Sequence, residues 1–248
     1  MLTIRADGDW GGALLSDVEA VVCSAAATLL PLEEHEALTI SLQPTPSIDD
    51  PPITLSVLNG AGEFVVQLNV RGNLWAQLAF QFAHEFCHVL ANILTWRGPR
   101  DRFAWIEEVF CESASLVALR AIAMIWAKEP PYPNWLDYAI HLESYAADRM
   151  ADPAQSLPAG LIFSNWMAQH LPLLESDPGR REDNTVIAKE LLPIFETDSN
   201  GWRAIRHLHT WKPPSTATLA EFLDGWEHSS PPECRPAITS IGAVICPK

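Results

Sequence analysis

Two histidines one helical turn apart form the pattern in this sequence that most clearly indicates chemistry. They belong to the run His84-Glu85-Phe86-Cys87-His88. Residues i and i+4 lie on one face of a helix, so both imidazoles can direct a ring nitrogen to the same metal ion. Glu85 is rotated by about 100° around the helix axis, so its carboxylate projects beside that ion and can accept a proton from a bound water. The spacing therefore predicts a zinc site with His84 and His88 as ligands and Glu85 as general base.

The residues around this motif predict a helix that lines the protein interior. From residue 73 to residue 96, Glu85 is the only side chain with a full charge, whereas a solvent-exposed helix normally carries several. We expect Asn73 to cap this helix and Gly98-Pro99 to follow its end at Trp96. Its amides and imidazoles form one stripe, which consists of Gln77, Gln81, His84, His88 and Asn92. The alternative is a buried helix whose two histidines only make hydrogen bonds in the core.

A catalytic zinc site uses three protein ligands and leaves a fourth position for water. The next predicted helix begins at Asp101, runs to about Glu129 and contains the run Trp105-Ile-Glu-Glu-Val-Phe-Cys-Glu112. Together with the H-E-x-x-H motif, this run resembles the gluzincins, the zinc peptidases that include the thermolysin-like and M1 aminopeptidase-like enzymes. The resemblance covers residues 55–115. It implies a zincin-like fold, hydrolysis of a peptide or protein substrate, and a glutamate of the second helix as the third zinc ligand.

Two criteria from this resemblance select different glutamates. Trp105-x-x-Glu108 is similar to the run that carries the ligand in the aminopeptidases, whereas strict aminopeptidase spacing after His88 selects Glu107. We favour Glu108, because Glu112 lies one turn further on the same face. There it could accept the second N–H of a ligating histidine, as an acidic residue does in thermolysin-like enzymes. The alternative is that the three glutamates form an exposed acidic face near a helix N-terminus, where the helix dipole favours them.

A peptidase also needs a donor that stabilises the oxyanion formed when the substrate carbonyl is attacked. No motif in the sequence identifies this donor. The side chains to test are His207 and His209, followed by Tyr132, Tyr138, His141 and Tyr145. For each of them, an ordinary packing position on an amphipathic helix is the alternative.

Short segments with strand character precede the metal-binding helix, at residues 38–42, 53–58 and 64–70. Asn59-Gly60 lies between the last two, and Asn-Gly between segments rich in β-branched residues predicts a hairpin. We expect the strand at 64–70 to be the cleft edge that pairs with an extended substrate. Before these strands, the apolar stretch within residues 13–30 predicts an amphipathic helix.

Beyond residue 130 the sequence predicts helices, near residues 134–151, 159–175, 184–196, 200–211 and 217–228. The predicted fold class is α+β and zincin-like. An N-terminal helix and a small antiparallel sheet are followed by the active-site helix and a mostly helical C-terminal half. The expected division is a metal-binding core at 1–130, a helical subdomain at 131–230 packed on it and an irregular tail at 231–248.

Composition limits the partners of this chain. The net charge of −15 argues against a nucleic-acid or anionic-membrane surface, because both need a basic footprint. No uninterrupted apolar run is long enough to span a bilayer, and the N-terminal stretch lacks the features of a secretory signal. The five cysteines form no C-x-x-C pair, which favours reduced thiols in the cytoplasm. The sequence does not define the oligomeric state.

The leading hypothesis is therefore a zinc metallopeptidase, a hydrolase with Glu85 as general base. Two alternatives stay open. One is a zincin-like domain that binds a metal or a partner protein without turnover, and the other is a helical protein without a metal.

Overall fold

The computed structural model of the protein describes residues 1–29, 37–95 and 102–246. The chain divides into two compact units. The first comprises Met1–Val89 and Ala114–Asp148, and the second comprises Leu90–Ser113 and Arg149–Lys248. Neither unit is a continuous stretch of sequence.

The first unit contains a mixed four-stranded sheet in the order β1-β2-β4-β3. Its strands are β1 (Leu2–Ala6), β2 (Leu38–Pro44), β3 (Ile53–Thr54) and β4 (Phe64–Leu68). Strand β2 is parallel to both β1 and β4, and β3 is antiparallel to β4. The α+β class is confirmed. The expectation of an antiparallel sheet preceded by a helix is wrong, since the chain begins with a strand and most of the pairing is parallel.

Helix α1 (Leu15–Leu29) explains the parallel pairing of β1 and β2. Two parallel strands need a long crossover connection, which a helix usually provides. The helix was predicted within residues 13–30. It is tied to the end of β1 by a hydrogen bond of 2.9 Å from the backbone N–H of Ala6 to Oε1 of Glu19. The first strand was not predicted, although its five residues alternate between apolar and polar side chains as a half-buried strand does.

The hairpin predicted around Asn59-Gly60 is confirmed. Strand β3 pairs with β4 so that Thr54 lies opposite Val66. The turn is closed by hydrogen bonds from Gly62 N to Asn59 O (2.9 Å) and from Asn59 N to Glu63 O (3.0 Å).

The expected role of β4 as the cleft edge is wrong. Strand β4 lies between β2 and β3, so both of its backbone edges are paired with other strands. In the part of the chain that the structure describes, the edge strand on this side is β3 instead. The reason is the parallel pairing between β2 and β4, which is a long-range contact that no local sequence pattern indicates.

Two long helices carry the motif residues. Helix α2 spans Trp75–Asn92 and helix α3 spans Ala104–Trp126. Helix α2 begins two residues after the expected cap at Asn73. The expected end at Trp96 and the expected start at Asp101 lie outside the described residues. By length and composition α3 could span a membrane, but it is mostly buried inside the protein, as is usual for a core helix of a soluble protein.

The remainder of the described chain is largely helical. After a 3-10 helix at Pro133–Tyr138, the helices are α4 (Ala139–Ala151), α5 (Phe163–Ser176), α6 (Arg181–Thr197), α7 (Asn200–Ile205), α8 (Leu219–Ser229) and α9 (Arg235–Ile245). Helix α9 occupies the region expected to be an irregular tail. Pro236 lies in its first turn, where the missing N–H of proline costs no helical hydrogen bond, so the proline marks a helix start rather than a loop.

Aromatic side chains form the core of the second unit. The ring of Phe110 on α3 lies 5.6 Å from those of both Phe195 and Trp226, measured between centroids. Phe195 in turn stacks on Trp202 at 4.3 Å. These contacts hold the part of α3 that carries the three glutamates of the sequence motif.

Candidate metal centre

The two motif histidines lie side by side on α2, within the first unit. The centroids of the His84 and His88 rings are 5.2 Å apart, and the ring planes are inclined by 69°. A ring nitrogen of one lies within 4.8 Å of a ring nitrogen of the other. Two nitrogen ligands of a tetrahedral zinc ion are roughly 3.3 Å apart, since each Zn–N bond is about 2.0–2.1 Å. Small side-chain rotations would therefore bring both nitrogens to one ion.

The polar stripe of α2 is only partly accessible, while the rest of the helix is in the core. Leu78, Phe82 and Phe86 are at most 1% exposed. Gln81 is fixed by Asn69, whose Oδ1 accepts a hydrogen bond of 2.6 Å from Nε2 of the glutamine. The half-buried side chains of the stripe are Gln77, Gln81, His84 and His88. Such partial access is what a metal site with a position open to water requires.

Glu85 follows His84 in the sequence, and its carboxylate is buried. Glu85 is 4% exposed. The hydroxyl of Thr54 on β3 lies 3.0 Å from Oε2 of Glu85 and 2.9 Å from its backbone oxygen. Burying a carboxylate is costly unless a hydrogen bond compensates it, and Thr54 supplies one. The edge strand β3 therefore touches the residue predicted to be the general base.

In the second unit, Glu107 belongs to a buried polar network. The side chain of Glu107 is 2% exposed, and its Oε2 lies 2.8 Å from Nε2 of His209. Its Oε1 accepts a hydrogen bond of 3.1 Å from Nδ2 of Asn92, the last residue of α2. Sequence reasoning missed this network because 102 residues separate Glu107 from His209. His209, expected among the oxyanion donors, is engaged with a carboxylate instead.

The face of α3 that follows Glu107 carries three possible metal-binding side chains. Glu108, Cys111 and Glu112 are spaced i, i+3 and i+4, so they share one side of the helix. Glu108 is half-buried, whereas Cys111 and Glu112 are buried. Oε1 of Glu112 lies 2.9 Å from Nε of Arg181 in an ion pair. The role predicted for Glu112, which is to orient a ligating histidine, stays a prediction.

The tyrosines considered as oxyanion donors make packing contacts in the first unit. The hydroxyl of Tyr138 accepts a hydrogen bond of 3.3 Å from the backbone N–H of Ala76, and burial raises the pKa of this hydroxyl. The ring of Tyr132 lies edge-on to Trp135. A contact of the same kind joins Tyr145 to Phe80, and the ring of His141 lies 5.2 Å from that of Tyr138.

The donor types present on α2 and α3 fit zinc, which binds imidazole nitrogen, carboxylate oxygen and thiolate sulfur. A pair of imidazoles at i and i+4 also suits a tetrahedral ion better than the oxygen-rich shell of calcium or magnesium. The resemblance to gluzincins stays a prediction from the two sequence motifs. No protein-family model matches this chain, and neither a curated protein nor a solved structure matches it significantly.

Proposed function

We propose that the protein is a zinc-dependent peptidase of gluzincin type that hydrolyses peptide bonds with Glu85 as general base. The observation that carries the proposal is the pair of half-buried histidines, His84 and His88, one turn apart on α2 and flanking a buried glutamate. A helix in the core rarely carries two imidazoles and a carboxylate without a reason, because each polar group costs free energy when it is buried. The substrate in this proposal is a peptide or protein segment.

His84, His88 and Glu108 would hold the zinc ion. Glu108 is preferred over Glu107 because Trp105-x-x-Glu108 is similar to the run that carries the ligand in the aminopeptidases, and because Glu112 lies one turn further on the same face. The alternative third donor is the thiol of Cys111, which follows Glu108 on the same face of α3.

Zinc, when bound, polarises the substrate carbonyl and brings the pKa of a water ligand near 7. The chain itself supplies the base. The Glu85 carboxylate would take a proton from the attacking water at one oxygen while Thr54 holds Oε2. Glu85 would then give this proton to the leaving amine, as a general base does when it becomes a general acid. An extended substrate would pair with the open edge of β3.

A matched pair of variants tests this proposal. Glu85→Gln should keep the zinc content of the wild type and lose about 10²–10⁴-fold in cleavage of a peptide library, because the general base is removed and the side-chain shape is kept. Glu143→Gln makes the same change at an exposed position of α4 and should leave cleavage unchanged. Cleavage by Glu85→Gln at the wild-type rate would refute the assignment of the base.

A metal- or partner-binding domain without turnover is the second candidate function. One observation favours it: His209, a first choice for the oxyanion donor, is held by Glu107. A zinc-loaded wild type that cleaves no member of the library would select this candidate. For either function we propose a cytoplasmic location, supported by the five cysteines, which all lie in the described residues and form no disulfide there.

A further inference from the structure

Thr54 on the edge strand β3 contacts Glu85 through its side-chain hydroxyl. Its hydroxyl lies within hydrogen-bond distance of Oε2 of Glu85, at 3.0 Å, and of the Glu85 backbone oxygen, at 2.9 Å. The two residues are 31 positions apart in the sequence, so this contact exists because β3 lies against α2. The hydroxyl limits the rotation of a carboxylate that is 4% exposed.

The backbone N–H and C=O of Thr54 lie in the plane of the sheet and point towards its edge, whereas the side chain projects from one face. Hydrogen-bonded and non-hydrogen-bonded pairs alternate along an antiparallel ladder. The pair Leu55–Val65 is hydrogen-bonded, since Leu55 N donates to Val65 O at 2.9 Å. The next pair, Thr54–Val66, is therefore of the non-hydrogen-bonded kind. Hence the N–H and C=O of Thr54 point away from β4, and among the described residues β3 is the last strand on that side.

We propose that Thr54 is a positioning residue that couples substrate binding to the orientation of the general base. Its backbone N–H and C=O pair with an extended peptide, and its hydroxyl sets the carboxylate of Glu85 for proton transfer. The inference rests on the proposed peptidase function and deepens it. One short strand then binds the substrate backbone and also positions the general base.

This coupling predicts that loss of the Thr54 hydroxyl lowers kcat and changes KM little. Removing the hydroxyl leaves the backbone of residue 54 in place, so peptide binding should persist. The Glu85 carboxylate, however, loses the contact that fixes it. Since displacing a reacting group by about 1 Å can cost roughly 100-fold in rate, we expect kcat to fall by about 10- to 100-fold with KM changed less than about twofold.

The experiment compares Thr54→Val, Thr54→Ser and Thr39→Val in the full-length, zinc-loaded protein. Valine keeps the β-branched shape without the hydroxyl, and serine keeps the hydroxyl. Thr39 lies on β2 and is half-buried like Thr54, so Thr39→Val controls for loss of a threonine hydroxyl in the same sheet. We expect kcat to fall in Thr54→Val and to be largely restored in Thr54→Ser. Equal kcat in Thr54→Val and wild type, or an equal loss in all three variants, would overturn the role of Thr54.

A second measurement separates this inference from the proposed function. The carboxyl ¹³C resonance of Glu85, assigned by its absence from Glu85→Gln, should shift in Thr54→Val and stay near the wild-type position in Thr54→Ser and Thr39→Val. A resonance that does not move in Thr54→Val would overturn the positioning role whether or not the protein cleaves peptides. If the variants show the expected resonance positions but the wild type cleaves nothing, the peptidase function is overturned. The proposed coupling between substrate binding and the Glu85 carboxylate is then overturned as well.

Discussion

The imidazole of His209 and the carboxylate of Glu107 are joined by a contact of 2.8 Å between Nε2 and Oε2. The two side chains are 8% and 2% exposed, so the pair is shielded from water. Asn92 donates to the other carboxylate oxygen and leaves Glu107 bonded on both sides. The pair therefore has a clear structural role, which is to satisfy a carboxylate in the core of the second unit.

His209→Ala should destabilise the protein strongly. Removing one partner of a buried hydrogen bond leaves an oxygen of the buried Glu107 carboxylate without compensation, which typically costs about 1–3 kcal/mol. Denaturant unfolding measures the change. The control is His228→Ala, because His228 and its partner Asp224 are 72% and 73% exposed. An exposed pair of this kind contributes about 0–1 kcal/mol. Similar losses in the two variants would show that the buried pair adds little to stability.

Glu108→Gln should lose zinc, and Glu107→Gln should keep it. The amide of glutamine is a poor zinc donor, so losing a ligand should weaken binding more than the roughly 10- to 100-fold seen for the residues that support ligands. Zinc content of the folded protein, measured after gel filtration, distinguishes the two variants. Zinc lost from Glu107→Gln and kept by Glu108→Gln would reverse the assignment. Zinc kept by Glu108→Gln and lost from Cys111→Ser would identify the thiol as the third ligand.

Gly225→Ala should be destabilising although alanine is the better helix former. In a helix interior alanine gains about 1 kcal/mol over glycine. A Cβ at Gly225 would overlap the ring of Trp211, however, and overpacking of this kind typically costs about 1–3 kcal/mol. Gly242→Ala on α9 is the matched control, because a Cβ there meets Leu223 at an ordinary contact distance of 3.6 Å. Thermal unfolding should show a lower Tm for Gly225→Ala and an equal or higher Tm for Gly242→Ala. The opposite order would contradict the packing between α8 and Trp211.

Glu221 should make the stability of the protein depend on pH. The backbone N–H of Thr218 donates to Oε2 of Glu221 at 2.8 Å and its hydroxyl donates at 2.9 Å, and these bonds lower the pKa of the carboxyl. A lowered pKa in the folded state means that the carboxylate stabilises the fold above the pKa of the unfolded chain. This contribution is lost as the pH falls through the lower folded value.

The corresponding measurement is the Tm of Glu221→Gln across pH. The variant should have a lower Tm than the wild type at pH 7, and the difference should shrink as the pH falls below about 4, where the wild-type carboxyl is also neutral. Glu233→Gln, at an exposed position before α9, should follow the wild type throughout. A difference between Glu221→Gln and wild type that stays constant with pH would show that the charge of Glu221 is not involved.

The features that could be predicted from sequence are those with a local signal. The helical spacing of His84 and His88 predicted one turn between them, and the Asn59-Gly60 turn predicted the hairpin. Helix α1 was predicted from the apolar stretch within residues 13–30, which Asp17 and Glu19 interrupt. In each case the determining residues lie within a few positions of one another.

The features that were missed depend on long-range contacts. The sheet register follows from the pairing of β2 with β1 and β4, which joins segments far apart in the chain. The hydrogen bond from Thr54 to Glu85 requires that pairing to place β3 at the edge, so sequence reasoning assigned the edge to residues 64–70 instead. Helix α9 was missed for a different reason. Its prolines were interpreted as loop signals, although Pro236 lies in the first turn of a helix, where proline is well tolerated.

Zinc analysis of the purified protein tests the central claim most directly. Wild type and the double variant His84→Ala/His88→Ala would be dialysed against trace zinc, and their metal content measured by plasma mass spectrometry, with circular dichroism to verify that both are folded. We predict stoichiometric zinc in the wild type and none above background in the double variant. A wild type without stoichiometric zinc, or a folded double variant that retains it, would contradict a metal centre at His84 and His88.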